Sequence, residues 1–115
     1  MMSTGEIIVT TTPTIPGYRI KRVLGIVTGT SIRTRGALGR FLAGIEAIVG
    51  GRGEAYIVEL AKAREEALED LKRKALKLGA NAVVGVDFET AEILEGFIMI
   101  AAYGTAVEVE PEVTK

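Results

Sequence analysis

The sequence predicts an α+β domain: a mostly antiparallel sheet with one long helix on one face, in the order β-β-(α)-α-β-β. Three observations carry this. Residues from Glu54 to Leu78 hold apolar side chains at helical spacing. The break Leu78-Gly79-Ala80-Asn81 leads directly into a β-branched run, Ala82-Val83-Val84-Gly85-Val86-Asp87-Phe88-Glu89. The stretch Phe97 to Glu110 alternates in strand register with small or apolar residues on both faces.

The elements follow in order. Ile7 to Thr12 is a short β-branched strand stopped by Pro13. Pro16-Gly17 marks a turn. Tyr18 to Thr28 reads as a strand, with Tyr18, Ile20, Leu24 and Ile26 on one face and its second half apolar on both. Gly29 to Gly39 is a polar, glycine-punctuated connection, and Arg40 to Val49 has the spacing of a short helix weakened by Gly44. In the long helix, Ile57, Leu60, Ala61, Leu68, Leu71, Ala75 and Leu78 form the apolar stripe. Its outer face carries Lys62-Glu66, Glu69-Arg73 and Asp70-Lys74 at i,i+4. Gly79 suits a left-handed cap. In the strand after it, Ala82, Val84, Val86 and Phe88 share a face. Thr90 to Gly96 is a loop before the last strand.

At 115 residues the chain is one domain, residues 1–115, with an ordered core from about 7 to 110. Aromatics make up only 5% of it, with no Trp, so the core is aliphatic. It contains neither Cys nor His, which removes disulfides, thiolate chemistry and the usual proton shuttle near neutral pH. The first residues lack the basic and apolar regions of a signal peptide. The apolar run from Phe97 to Val107 is about half of the ~20 residues that span a bilayer. The expectation is a cytoplasmic protein with no membrane partner. No nucleic-acid partner is expected either, since the net charge is −1 and basic residues do not interleave with aromatics.

The charge is unevenly placed. Arg19, Lys21, Arg22, Arg33, Arg35, Arg40 and Arg52 lie in the first half, while Asp87, Glu89, Glu92, Glu95, Glu108, Glu110 and Glu112 lie near the end. Either the first half binds an anion, or the halves face each other within a subunit or across an interface. Arg33 and Arg35, with Ser31 beside them, could fork around a phosphate or carboxylate, or pair with acids such as Asp87 or Glu89. Gly25 to Ser31 lacks the lysine and the spacing of a phosphate-binding loop. A metal would have to be held by oxygen. Asp87 and Glu89 on one strand face suit a hard divalent cation, whereas a heavy metal would want the absent His or Cys. Glu54, Glu59 and Asp87 are conceivable acid–base groups, but no catalytic pair stands out.

Three stretches together resemble the YbjQ-like family of small uncharacterised proteins, which carries a heavy-metal-binding label. They are Gly25-Ile-Val-Thr-Gly-Thr-Ser-Ile-Arg-Thr-Arg-Gly36, Ala63-Arg-Glu-Glu-Ala-Leu-Glu running on to Leu78-Gly-Ala-Asn-Ala-Val-Val-Gly-Val-Asp-Phe88, and Ala102-Tyr-Gly-Thr-Ala-Val-Glu-Val109. The resemblance spans about residues 7–110. It implies a dodecin-like subunit assembled as a ring-shaped homopentamer, with no established reaction. The residues point separately to self-association. One helix covers one face of a sheet, yet three strands are apolar or small on both faces, and an open face of that kind is a sticky patch. The expectation is a homo-oligomer that binds a small ligand or ion between subunits. The alternatives are an enzyme using carboxylates or Arg33 and Arg35 at a subunit boundary, and a purely structural assembly.

Overall fold

The computed structural model describes residues 4–34 and 54–113. The short helix expected at Arg40–Val49, and Arg35, lie outside the described residues. After a 3-10 turn at Thr4–Glu6 come β1 (Ile8–Val9), β2 (Tyr18–Thr34), α1 (Glu54–Lys77), β3 (Ala82–Leu94) and β4 (Phe97–Pro111). The strands form one sheet in the order β1-β3-β4-β2. β2 and β3 both pair antiparallel with β4, but β1 runs parallel to β3, so the sheet is not wholly antiparallel.

Helix α1 lies on one face, chiefly over β2 and β4. Its buried line is Ala63, Ala67, Leu71 and Ala75, all fully buried and four residues apart, flanked by partly buried Leu60, Leu68 and Leu76. Leu60, Leu68, Leu71 and Ala75 of the expected stripe face the core, but its Ile57, Ala61 and Leu78 are exposed, and Ala63 and Ala67 are buried in addition. Close approach to β2 is the reason. A Cβ on Gly29 would fall 2.8 Å from Leu71 Cα and closer still to the Ala67 carbonyl oxygen and Leu71 nitrogen. The strand and helix backbones therefore touch at this point, which favours alanine over leucine on the helix.

The break after α1 is a Schellman cap. Ala80 N–H donates to the Ala75 carbonyl at 3.0 Å and Gly79 N–H to that of Leu76 at 2.9 Å, with Gly79 at φ 85°. Asn81 then works like an extra rung of the sheet. Its side-chain amide donates to the Val109 carbonyl at 2.9 Å and its oxygen accepts from Val109 N–H at 2.8 Å.

Both edges of the alternating pattern differ from the sequence reading because of bulges. Register shifts around Lys21 and Leu24 put Ile20, Val23 and Ile26 on the face away from α1 and turn Leu24 toward the core with Val27. A third shift at Gly85 (φ 63°) splits the expected face of β3. Ala82 and Val84 pack with Val107 and Val109 on the far side, covered by Ile8 and Ile15, while Val86 and Phe88 join the helix-side core. β3 also continues through the expected loop to Leu94 and turns tightly at Glu95-Gly96, and β2 runs on to Thr34. The strands outreach the helix, and the molecule measures 60 × 29 × 25 Å.

Gly29→Ala should cost at least the upper end of the ~1–3 kcal/mol typical of overpacking, because the obstructing atoms are backbone. Gly104→Ala should cost less. There a Cβ would meet the methyl groups of Val83 and Val86 at 2.9 and 3.0 Å, and of the three nearest atoms only the Val84 carbonyl oxygen at 3.0 Å is backbone. Denaturant midpoints of the two variants check the ranking.

Candidate functional site

Strand β2 and helix α1 run antiparallel, so side chains met in order along one are met in reverse along the other. Ser31 and Arg33 point from β2 toward the helix, not into a connecting loop. Arg33 Nε donates to Glu59 Oε1 at 2.8 Å. Its Nη1 and Nη2 grip both oxygens of Glu66 at 2.9 Å, a bidentate fork. Ser31 is buried. Its hydroxyl donates to Glu66 Oε2 at 2.9 Å and accepts from Arg33 Nη1 at 3.0 Å. The structure therefore brings together two of the three anion-site candidates, but their donors are turned to carboxylates of the chain itself. Those carboxylates come from α1 and not from Asp87 or Glu89.

One turn further along, Thr30 N–H donates to Asp70 Oδ2 at 3.0 Å and Lys74 Nζ donates to the Thr28 carbonyl at 3.0 Å. Asp70 and Lys74 are themselves 3.1 Å apart. The sequence showed this pair only as an i,i+4 contact on the helix surface. The basic and acidic halves do meet within the chain: Arg19 pairs with Glu110, and Arg22 Nε lies 3.0 Å from Glu108 across the β2–β4 ladder.

On the face away from α1, Asp87 stands opposite Tyr103 and Glu89 opposite Ala101. Asp87 accepts from its neighbour Phe88 N–H at 2.8 Å and from Tyr103 Oη at 3.4 Å. The Asp87 charge, with Glu89 adding to it, pushes the Tyr103 phenol up from its ordinary value. Beside them lies a shallow depression of about 340 Å³, lined by Ile26, Thr28, Thr30, Glu89, Met99, Ala101 and Tyr103.

This chain, whose described residues place one long helix on a four-stranded sheet, is similar to a solved protein of unknown function of the DUF74 family from Pediococcus pentosaceus. The TM-score is 0.58, covering 90% of this chain and 98% of the other, at 20% identity. The chain belongs to the YbjQ-like family described as "Putative heavy-metal-binding", which it matches over residues 7–110. Relatives called UPF0145 proteins are similar over most of their length. That of Methanoregula boonei is 44% identical over 107 residues, 93% of this chain and 89% of the relative. That of Thermus thermophilus is 42% identical over 110 residues, 96% of each.

The family description does not fit the donors of this chain. Soft metals select thiolate, thioether or imidazole; the sequence has no Cys and no His, and among the described residues Met99 is the one thioether. Among the described residues no group of three or more acids is placed to hold an ion. Asp87 and Glu89 share a face, but Asp87 already accepts two hydrogen bonds. Among the described residues, no helix is long and apolar enough to cross a membrane.

Two carboxyls are held below the ordinary range: Glu66 by the Arg33 fork and then Ser31, and Asp70 by Thr30 N–H and then Lys74. For a lowered pKa the unfolded chain binds protons first. The stabilisation is complete above the ordinary carboxylate range, about pH 4, and is lost as pH falls through the lowered values. Chemical denaturation across pH 2–6 should show that loss. Arg33→Met should flatten part of it and cost about 2–3 kcal/mol near neutral pH. That is less than for a fully buried pair, because Glu66 is half exposed while Glu59 is largely buried. Arg33→Met combined with Glu59→Gln should recover part of the loss.

Proposed function

We propose that the protein is a self-assembling, non-enzymatic subunit that closes into a homo-oligomer, a ring of five as the family resemblance implies, by burying the sheet face opposite α1. The observation that carries this reading is the state of that face. Ile20, Val23, Ile26 and Ile32 of β2 lie along it beside Tyr103, with Ile26 81% and Val23 68% exposed. The same face continues into the cluster of Ala82, Val84, Val107 and Val109, which the chain's own Ile8 and Ile15 cover. One apolar surface is thus half covered by its own chain and half bare, and a second copy is the partner that a soluble chain always has available.

The depression lined by Ile26, Thr28, Thr30, Glu89 and Tyr103 lies within this face. A small ligand or hard cation held there would be enclosed between copies, with Glu89 and Asp87 supplying the charge. A catalytic centre on Arg33 has less support, because the guanidinium fork is spent on Glu66.

Native mass spectrometry should show one closed oligomer at micromolar concentration, and Ile26→Asp should convert it to a monomer with unchanged far-ultraviolet circular dichroism. A wild-type chain that remains monomeric would contradict the reading. A panel of divalent cations and small amines in thermal-shift format tests the ligand. A rise in melting temperature that Glu89→Gln abolishes would support it, and no shift with any of them would remove it.

A further inference from the structure

We propose that Asp70 and Lys74 guard the free edge of β2, blocking strand addition by β2 of a second copy. β2 is 17 residues long and ends the sheet order, so its outer side has no neighbouring strand among the described residues. A long edge strand with exposed Ile20, Val23 and Ile26 is a template for pairing with another chain. Successive residues of a strand present their N–H and C=O to opposite sides, which places Thr28 and Thr30 together on one side. Their groups are taken by the helix. The Asp70 carboxylate accepts from Thr30 N–H at 3.0 Å, the Lys74 ammonium donates to the Thr28 carbonyl at 3.0 Å, and the two side chains lie 3.1 Å apart.

An incoming strand needs these same two backbone groups and would have to displace an ion pair to reach them. The guard cannot swing away easily, because Gly29, between the two threonines, sits against the helix backbone at Ala67 and Leu71. Four residues along β2, Arg33 is tied to the same helix by Glu59 and Glu66. The remaining way for copies to meet over this part of β2 is across the face. The guard depends on the sheet order and on these bonds, and it operates whether the wild-type chain is a monomer or an oligomer.

Amide hydrogen exchange at Thr30 reads the guard directly, and size by native mass spectrometry reads its consequence. Asp70→Ala should raise Thr30 exchange at least tenfold. Asp70→Ala with Lys74→Ala should add species larger than the wild-type one, with thioflavin-T fluorescence. Asp70→Asn, whose amide oxygen can still accept from Thr30, should keep the wild-type exchange and size. So should Glu65→Ala on the exposed side of α1. If the Asp70→Ala variants lose native circular dichroism, Lys74→Ala alone opens the carbonyl half and should still produce the larger species. Unchanged Thr30 exchange in folded Asp70→Ala, or lost protection without any larger species in the Lys74 variants, would overturn the proposal.

Discussion

The contact between Gly29 and the backbone of α1 at Ala67 and Leu71 sets the terms for the rest of the structure. A helix seated this closely presents alanines to the sheet. Its flanking acids and bases fall within reach of the strand edge. Asp70 and Lys74 can bond to Thr30 and Thr28 because the helix axis lies low over β2, and Glu66 meets both Ser31 and Arg33 for the same reason. One helix placed so firmly on one face leaves the other to something else. Among the described residues, Ile8 and Ile15 cover part of it, and Val23, Ile26 and Ile32 are exposed.

Much of this was legible in the sequence, for identifiable physical reasons. The helix and its end were, because a 3.6-residue pattern followed by Leu-Gly-Ala-Asn has few other solutions, and the cap geometry at Gly79 and Ala80 agrees. The two faces of β4 were legible, because nothing interrupts their alternation before Glu108. The faces of β2 and β3 were misjudged where a bulge shifts the period by one, at Lys21, Leu24 and Gly85. A bulge leaves little trace in a single sequence beyond a glycine, and glycines here also serve turns and close contacts. Of the buried line of α1, Leu71 and Ala75 belong to the expected stripe but Ala63 and Ala67 do not, since the close approach at Gly29 that buries them comes from far away in the chain.

The candidate site divides in the same way. Arg33 and Ser31 were recognisable as a donor cluster, but which acids they meet depends on how α1 runs along β2, which no local pattern encodes. Asp70 and Lys74 read as an ordinary helix pair, and only the strand beneath them gives the pair another task. Asp87 and Glu89 share a face as expected, yet the chain surrounds them with hydroxyls and aliphatic groups. The family's heavy-metal description and the chemistry of this chain therefore part ways. What the residues offer on this face is exposed aliphatic surface, with a small depression that Glu89 helps to line.

The most direct test of that surface uses the absence of cysteine from the chain. A single Ile26→Cys variant, probed with a water-soluble thiol reagent over a dilution series, reports whether the bare face is covered. Slow labelling is expected at concentrations where a homo-oligomer persists and fast labelling once it dissociates, while Arg64→Cys on the exposed side of α1 labels fast throughout. Equal and fast labelling of both positions at every concentration would show the face open to water and would contradict that expectation.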